Sequence, residues 1–268
     1  MIIQNNDFDL IHTFECGQCF RWNKNNDNSY LGVVGNSVIK IMQNNNTFNI
    51  ESDDDILIKS YFDLDKNYDD IKSKLSKLDD VLPKAIPAGY GIRLLKQDPW
   101  ETLISFIISA NNNIPRIKKI IETLCKNFGG EIKYCDELYY TFPDAETICK
   151  LTIEQLDVIK SGFRAKYIID AAQKVANGVV NLDLIYDMNT DDAREYLKQI
   201  KGVGNKVADC ILLFAYQKYD VFPKDVWIKK VLNQLYGVEE CQFDSFITEH
   251  FGDLAGFAQQ YLFYYMRG

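Results

Sequence analysis

The chain has little that would anchor, secrete or staple it. No apolar run approaches the roughly 20 residues that a membrane span requires, and the opening Met1-Ile2-Ile3-Gln4-Asn5-Asn6-Asp7 lacks the basic flank and long apolar stretch of a secretion signal. An intracellular protein without a membrane partner is expected, cytoplasmic or at the nucleoid if bacterial. Seven cysteines, at 16, 19, 125, 135, 149, 210 and 241, form an odd and scattered set that argues against a disulfide framework. Cys16-Gly17-Gln18-Cys19 has the spacing of half a zinc site. No second pair matches it, and His12 is the only nearby imidazole, so a zinc site is not expected. Repeats and coiled-coil heptads are absent too.

A surplus of positive charge is also missing, the formal net charge being -8. The excess is mainly N-terminal, because residues 1–80 hold 14 acidic and 8 basic side chains. The acidic runs at 53–55 and 79–80 read as a solvated face turned away from any nucleic acid. Net charge does not exclude a phosphate-binding surface, since local patches and oriented amides set the field at a site.

What is present is a globular balance: 268 residues, 47% of them hydrophobic and 25% charged, enough for one or two compact domains. From Tyr30 to Glu51 short alternating segments separated by Gly35-Asn36 and Asn44-Asn45-Asn46 predict an antiparallel meander. Beyond Leu57 the hydrophobic period lengthens, and Pro83, Pro87 and Gly89 punctuate a boundary. The expected fold is α+β, with a β-rich domain over 1–89 and a helical region over 90–268. Helices are predicted over 100–110, 116–128, 166–177, 225–236 and from about 253 to the C-terminus. Gly129, Gly178 and Gly237 serve as C-terminal caps.

One segment carries a chemical signal. In Leu197-Lys198-Gln199-Ile200-Lys201-Gly202-Val203-Gly204-Asn205-Lys206, a helix opened by Thr190 and Asp191-Asp192 ends, two glycines turn the chain, and a second helix begins. This predicts a helix-hairpin-helix at about 191–216. Gly202 and Gly204 permit close backbone approach, and the amides of the second helix favour a phosphate. A plain tight turn between packed helices is the competing reading. Nineteen residues after Lys206, Pro223-Lys224-Asp225 opens another helix, with Asp225 at its N-cap.

Hairpin, lysine and Pro-x-Asp at this interval resemble the helix-hairpin-helix DNA glycosylase superfamily. The segments Gly17-Gln18-Cys19-Phe20-Arg21-Trp22, Arg93 to Pro99, Ser109 to Arg116, Gly162 to Tyr167 and Ala258 to Phe263 are similar to its 8-oxoguanine DNA glycosylase branch. The resemblance runs from about Gly17 to Phe263. It implies an N-terminal antiparallel sheet like that of TATA-binding protein, and a bifunctional glycosylase/AP lyase that flips an oxidised purine out of duplex DNA. Lys206 would attack C1′ as a neutral amine, a form that burial and the positive helix end favour. Asp225 would stabilise the cationic sugar.

The same resemblance implies that Gly17 offers its carbonyl to the N7-H of 8-oxoguanine, that Phe263 and Cys210 sandwich the base, and that Gln259 reads its Watson–Crick edge. Asn111 and Arg116 would bond the widowed cytosine, while Phe163 and Arg164 would wedge into the duplex. Carbonyls of Lys198, Ile200 and Val203 would hold a structural monovalent cation. No other cofactor is implied, and no cysteine follows Cys241 to build the iron–sulfur cluster of other branches. The expected partner is double-stranded DNA containing an oxidised purine, bound by a monomer. Three positions depart from the branch: Phe163 replaces a tyrosine, Trp227 a histidine, and Met266 stands near an expected aspartate. The alternatives are a monofunctional 3-methyladenine-type glycosylase, which lacks the lysine, and a non-catalytic helix-hairpin-helix DNA-binding protein, in which Lys206 and Asp225 would have no reason to occur together.

Overall fold

The computed structural model describes residues 1–52 and 54–267; Asp53 of the first acidic run and the terminal Gly268 lie outside the described residues. Five strands, β1 (Ile2–Gln4), β2 (Trp22–Lys24), β3 (Tyr30–Val34), β4 (Ser37–Asn44) and β5 (Thr47–Glu51), form an antiparallel sheet in the order β1-β5-β4-β3-β2. The β3–β4–β5 meander follows the predicted segments, and Asn45 takes the left-handed φ of +53° that its turn requires. Alternation puts Tyr30, Ile39, Ile41, Phe48 and Ile50 on the inner face. There they pack with Phe8, Phe14, Trp22 and Phe62, partly from the flanking helix α1 (Leu10–Phe14), into one aromatic-rich core.

Three further helices, α2 (Asp55–Tyr61), α3 (Tyr68–Leu75) and α4 (Leu82–Ala85), lead away from the sheet. Residues of α3 and α4 join a second core, shared with α5 (Pro99–Ser109) and α6 (Ile114–Phe128). A small hairpin, β6 (Glu131–Tyr134) with β7 (Glu137–Tyr140), comes next and was not anticipated from sequence. Its Cys135-Asp136 turn has positive φ at both residues, the type I′ geometry. The remaining helices are α7 (Ala145–Cys149), α8 (Ile153–Leu156), α9 (Ala165–Ala176), α10 (Thr190–Leu197), α11 (Asn205–Tyr216), α12 (Val226–Tyr236), α13 (Phe243–Phe251) and α14 (Ala255–Arg267).

Three details sharpen or correct the sequence reading. Helix α10 opens at Thr190 as expected, and the residue before it, Asn189, is its N-cap, its side chain accepting from Asp192 N at 2.9 Å. Gly178 and Gly237 follow their helices in the left-handed conformation, whereas Gly129 caps α6 with φ -85°. Gly129 is needed for space, since a Cβ there would lie 2.0 Å from the Thr141 carbonyl oxygen. Asp79 does not face solvent. Its carboxylate accepts from Val81 N and Leu82 N at 2.7 and 2.8 Å and from Tyr236 Oη at 3.1 Å, and meets His250 Nε2 at 2.8 Å. These bonds hold its carboxyl below the usual range, outweighing partial burial, which pushes it up.

The two cores are tied by charge as well as packing. Arg93, fully buried, pairs with Asp7 at 2.8 Å and donates to the carbonyls of Phe62, Asp63 and Lys66. Arg21 bonds Glu101 of α5 at 3.0 Å and the Tyr140 carbonyl of the small hairpin. Every donor of a buried guanidinium that goes unmet is penalised, so Arg21 ties the start of β2 to α5 and β7, while Arg93 ties its own segment to the loops that follow β1 and α2.

Candidate active site

Lys206 is the second residue of α11, which follows directly on the Gly202-Val203-Gly204 turn. Gly202 has φ +87°, and a Cβ there would come within 2.7 Å of the Tyr167 ring, so conformation and space both demand glycine. Gly204 faces open space and caps α11 without a side-chain bond, leaving the first amides of the helix to an outside acceptor. The lysine is half-buried, with Nζ 5.3 Å from the centroid of the Phe106 ring. One turn further, Cys210 is buried and lines the same cavity as Lys206. Burial pushes that thiol up to about 11, so at neutral pH it is an uncharged, polarisable surface rather than a thiolate.

Asp225 ends a buried Val221-Phe222-Pro223 segment. Its Oδ1 accepts from Ile228 N at 2.8 Å, so the carboxylate caps α12 and is held in a fixed orientation. Lys206 and Asp225 line the same cavity, together with Gly17, Cys210, Gln259 and Phe263. Gly17 has φ +83°, and a Cβ on it would stand 3.5 Å from the Phe263 ring. Gln259 is 5% exposed, and its Oε1 has no hydrogen-bond partner among the described residues. A buried acceptor left unmet beside a lysine amine points to a ligand that brings a donor.

The cavity measures about 40 Å³, room for a few waters and too little for a purine. Two larger cavities, of about 490 and 500 Å³, lie elsewhere, one beside the sheet and β7 and one between α10, α11 and α13. Neither contains Lys206 or Asp225, so the smaller one, where the chemistry converges, is the candidate site. Phe106, Phe214, Pro223, Cys16 and Gln260 also line it and were not anticipated. Phe106 and Phe214 stack at 5.5 Å, and in sequence they are indistinguishable from the apolar runs around them. Gln260 carried a signal of sorts, as the second of two adjacent glutamines in an otherwise buried helix.

Asn111 is exposed with φ +51°, and Arg116 is exposed at the start of α6, whose Ile114 side chain lies against Gly17. Phe163 is 52% exposed, which leaves its ring free to meet a base stack. Arg164 departs from the expectation that it enters the duplex. It is 3% exposed and donates to the carbonyls of Ala110 and Asn111, at 2.9 and 2.6 Å to the first and 2.8 Å to the second, so it shapes the Asn111 turn from behind. Arg116, Lys119 and Lys160 share one cleft, and among the described residues none has a carboxylate within 4.0 Å. That is a local positive field on an acidic chain. Trp227 is 42% exposed with Lys230 Nζ 4.8 Å from its ring, and nothing at Met266 substitutes for a carboxylate.

At the hairpin, Ile200 O accepts from Val203 N at 3.1 Å, while no N–H among the described residues donates to the carbonyls of Lys198 or Val203. Free backbone oxygens on a tight turn are the hard donors that an alkali cation takes.

Residues 1–103 match the family of 8-oxoguanine DNA glycosylase N-terminal domains, and residues 104–253 match the HhH-GPD superfamily of base excision DNA repair proteins. An N-glycosylase/DNA lyase of Saccharomyces cerevisiae is 33% identical over 268 residues, covering 89% of this chain and 71% of that protein. Among solved structures, MBOgg1 in complex with a low-affinity DNA ligand superposes with a TM-score of 0.95 at 47% identity, covering 99% of this chain and 94% of its own. The Clostridium acetobutylicum 8-oxoguanine glycosylase/lyase, bound to double-stranded DNA with cytosine opposite 8-oxoG, superposes at 0.93 and 40% identity, covering 100% and 97%.

Proposed function

This chain belongs to the HhH-GPD superfamily of base excision DNA repair proteins and is an 8-oxoguanine DNA glycosylase with lyase activity; on that premise we propose that Lys206 is its nucleophile and Asp225 the carboxylate that assists it. The observation that carries the assignment is convergence: the amine, the fixed carboxylate and the unmet Gln259 oxygen line one cavity drawn from both ends of the chain.

The chemistry follows from that arrangement. The duplex hides the target atom, so the damaged nucleotide is flipped into the cavity, between the Phe263 ring and the Cys210 thiol. Gly17 brings a main-chain carbonyl to the N7-H that guanine lacks, and Gln259 Oε1 accepts from the Watson–Crick edge. The neutral Lys206 amine attacks C1′, the C1′–N9 bond breaks, and the base departs with the bonding electrons. Asp225 stabilises the positive charge that develops on the sugar and takes up a proton from the new ammonium. Cleavage of the C1′–O4′ bond, with the ring oxygen taking a proton to become a hydroxyl, opens the sugar and gives the Schiff base between C1′ and Lys206, and removal of a C2′ proton expels the 3′ phosphate by β-elimination.

The remaining residues would hold the DNA. Asn111 and Arg116 face the widowed cytosine and Phe163 fills the gap. Arg164 acts by setting the Asn111 turn. Amides at Gly202 to Lys206 receive a backbone phosphate, and a monovalent cation held by the carbonyls of Lys198, Ile200 and Val203 would add positive charge beside it. The enzyme would work as a monomer on duplex DNA inside the cell. Among the described residues no helix is long and apolar enough to cross a membrane.

The direct test is incubation with a duplex containing 8-oxoguanine opposite cytosine in the presence of borohydride. A covalent adduct is expected, and it should vanish in Lys206→Gln. Absence of both adduct and base release in the unmodified protein would overturn the assignment.

A further inference from the structure

The face of α9 that looks toward the hairpin carries Tyr167, Asp170 and Lys174, spaced i, i+3 and i+7 so that all three lie on one side of the helix. Each meets the 199–202 turn. The Tyr167 ring occupies the space that a Cβ on Gly202 would need. Asp170 Oδ2 accepts from Lys201 N at 2.9 Å and binds Lys174 Nζ at 2.8 Å. Lys174 Nζ in turn donates to the Gln199 carbonyl at 2.6 Å.

The same helix begins directly after Phe163 and Arg164. The Phe163 and Tyr167 rings meet edge to face at 6.1 Å, and the Arg164 guanidinium lies 4.4 Å from the centre of the Phe163 ring. Arg164 then grips the Asn111 turn through the two carbonyls described above. Asn111, Arg164, Phe163, Tyr167 and Gly202 therefore form one unbroken line of contact from the cytosine side of the mouth to the phosphate side. Tyr167 is the joint, because it touches both the exposed ring and the hairpin.

We propose that Tyr167 and Asp170 are positioning residues. They lock the hairpin and the Phe163 ring at a fixed separation, so that seating the hairpin amides on a phosphate and driving the ring into the stack are one energetic event. The inference rests on the reading of the hairpin as a phosphate site and of Phe163 as the inserting ring. A helix that merely packs would affect stability alone. A strut makes two distant contacts with DNA depend on each other, and that dependence is what a double-mutant cycle measures.

The experiment uses the full chain and four proteins: unmodified, Phe163→Ala, Asp170→Asn, and both together. Asp170→Asn is nearly isosteric, which keeps the helix packed while weakening the bonds to Lys201 and Lys174. Affinity for an 8-oxoguanine:cytosine duplex is measured at fixed salt, with 2-aminopurine beside the lesion reporting unstacking. We expect Asp170→Asn to weaken binding about tenfold alone but less than about twofold on the Phe163→Ala background, and to reduce the 2-aminopurine signal. Tyr167→Ala should do the same and Tyr167→Phe should restore it, since the ring and not the hydroxyl makes both contacts. Effects that multiply independently, with an unchanged 2-aminopurine signal, would overturn the proposal. If the unmodified protein releases no base, the assignment of function fails, while the binding cycle still decides the strut.

Discussion

Gln260 Nε2 donates to the Cys16 carbonyl at 3.0 Å, across 244 positions of sequence, and so joins the last helix to the loop that presents Gly17. Gln18 completes the mounting. It is wholly buried, donating to the carbonyls of Thr13 and Arg93 and accepting from Leu95 N. The recognition glycine is thus held by α14 on one side and by the 93–95 segment on the other. Replacing Gln260 by leucine should leave Lys206 able to form an adduct with a preformed abasic site. Excision of 8-oxoguanine should fall about tenfold or more, the loss of one hydrogen bond to a positioned acceptor. Equal losses on both substrates would show that Gln260 supports the cavity generally.

Asp225 combines a cap with a charge, and two substitutions separate them. Asparagine is also a good N-cap, so Asp225→Asn should alter stability by less than about 1 kcal/mol. Its single-turnover rate should fall about 10²- to 10³-fold, as when a preorganised electrostatic group is removed. Asp225→Ala should lose the rate and about 1 kcal/mol of stability besides. Thermal melts beside rate measurements make the comparison; an active Asp225→Asn would reduce the aspartate to a cap.

Gln259→Leu should move stability and activity in opposite directions. Removing a buried acceptor that has no partner is neutral or stabilising, so the melting temperature should hold or rise. Excision should drop about 10- to 100-fold, because the flipped base loses one hydrogen bond in a dry site. A variant that is destabilised and still active would show that the oxygen is met by something other than the base.

Asp79 gives a pH dependence of stability. Its carboxyl titrates below its ordinary range in the folded chain, so the stabilisation is complete above the unfolded carboxyl value near 4 and is lost as pH falls through the lower folded value. Asp79→Asn should therefore melt several degrees lower at pH 7, from bonds worth about 1 to 3 kcal/mol. The gap should narrow as pH falls below about 4. A gap that persists in acid would mean that packing around residue 79, not its charge, is responsible.

Lys119, exposed on α6 one turn beyond Arg116, should contribute by charge alone. Lys119→Ala should lower the slope of log affinity against log salt by about 0.9, the value for one phosphate contact, without changing cytosine preference. Arg116→Ala should erode that preference. Unchanged slopes would place the cleft off the DNA path.

How much of this was legible in sequence depends on the range of each interaction. The meander, the glycine hairpin, Lys206 and the Asp225 cap are set by neighbours a few residues apart, and each lies where its local pattern puts it. Arg164 could be placed beside Phe163 but not aimed, because the carbonyls that turn it inward belong to residues 110 and 111. Asp79 looked like half of a solvated acidic pair because its partners, Tyr236 and His250, are 157 and 171 positions away. The β6–β7 hairpin escaped notice because each strand is only four residues long, too short for alternation to rise above chance.

The small volume of the cavity bears on how guanine and its oxidised form are told apart. Because the resting pocket admits no purine, some fraction of molecules must open before either base enters, and that fraction scales the apparent affinity for both alike. A variant that opens more readily should therefore sample DNA faster without becoming more discriminating. Choice between the two bases rests on interactions made after entry, at the Gly17 carbonyl and the Gln259 oxygen, and opening governs only how often the choice is offered.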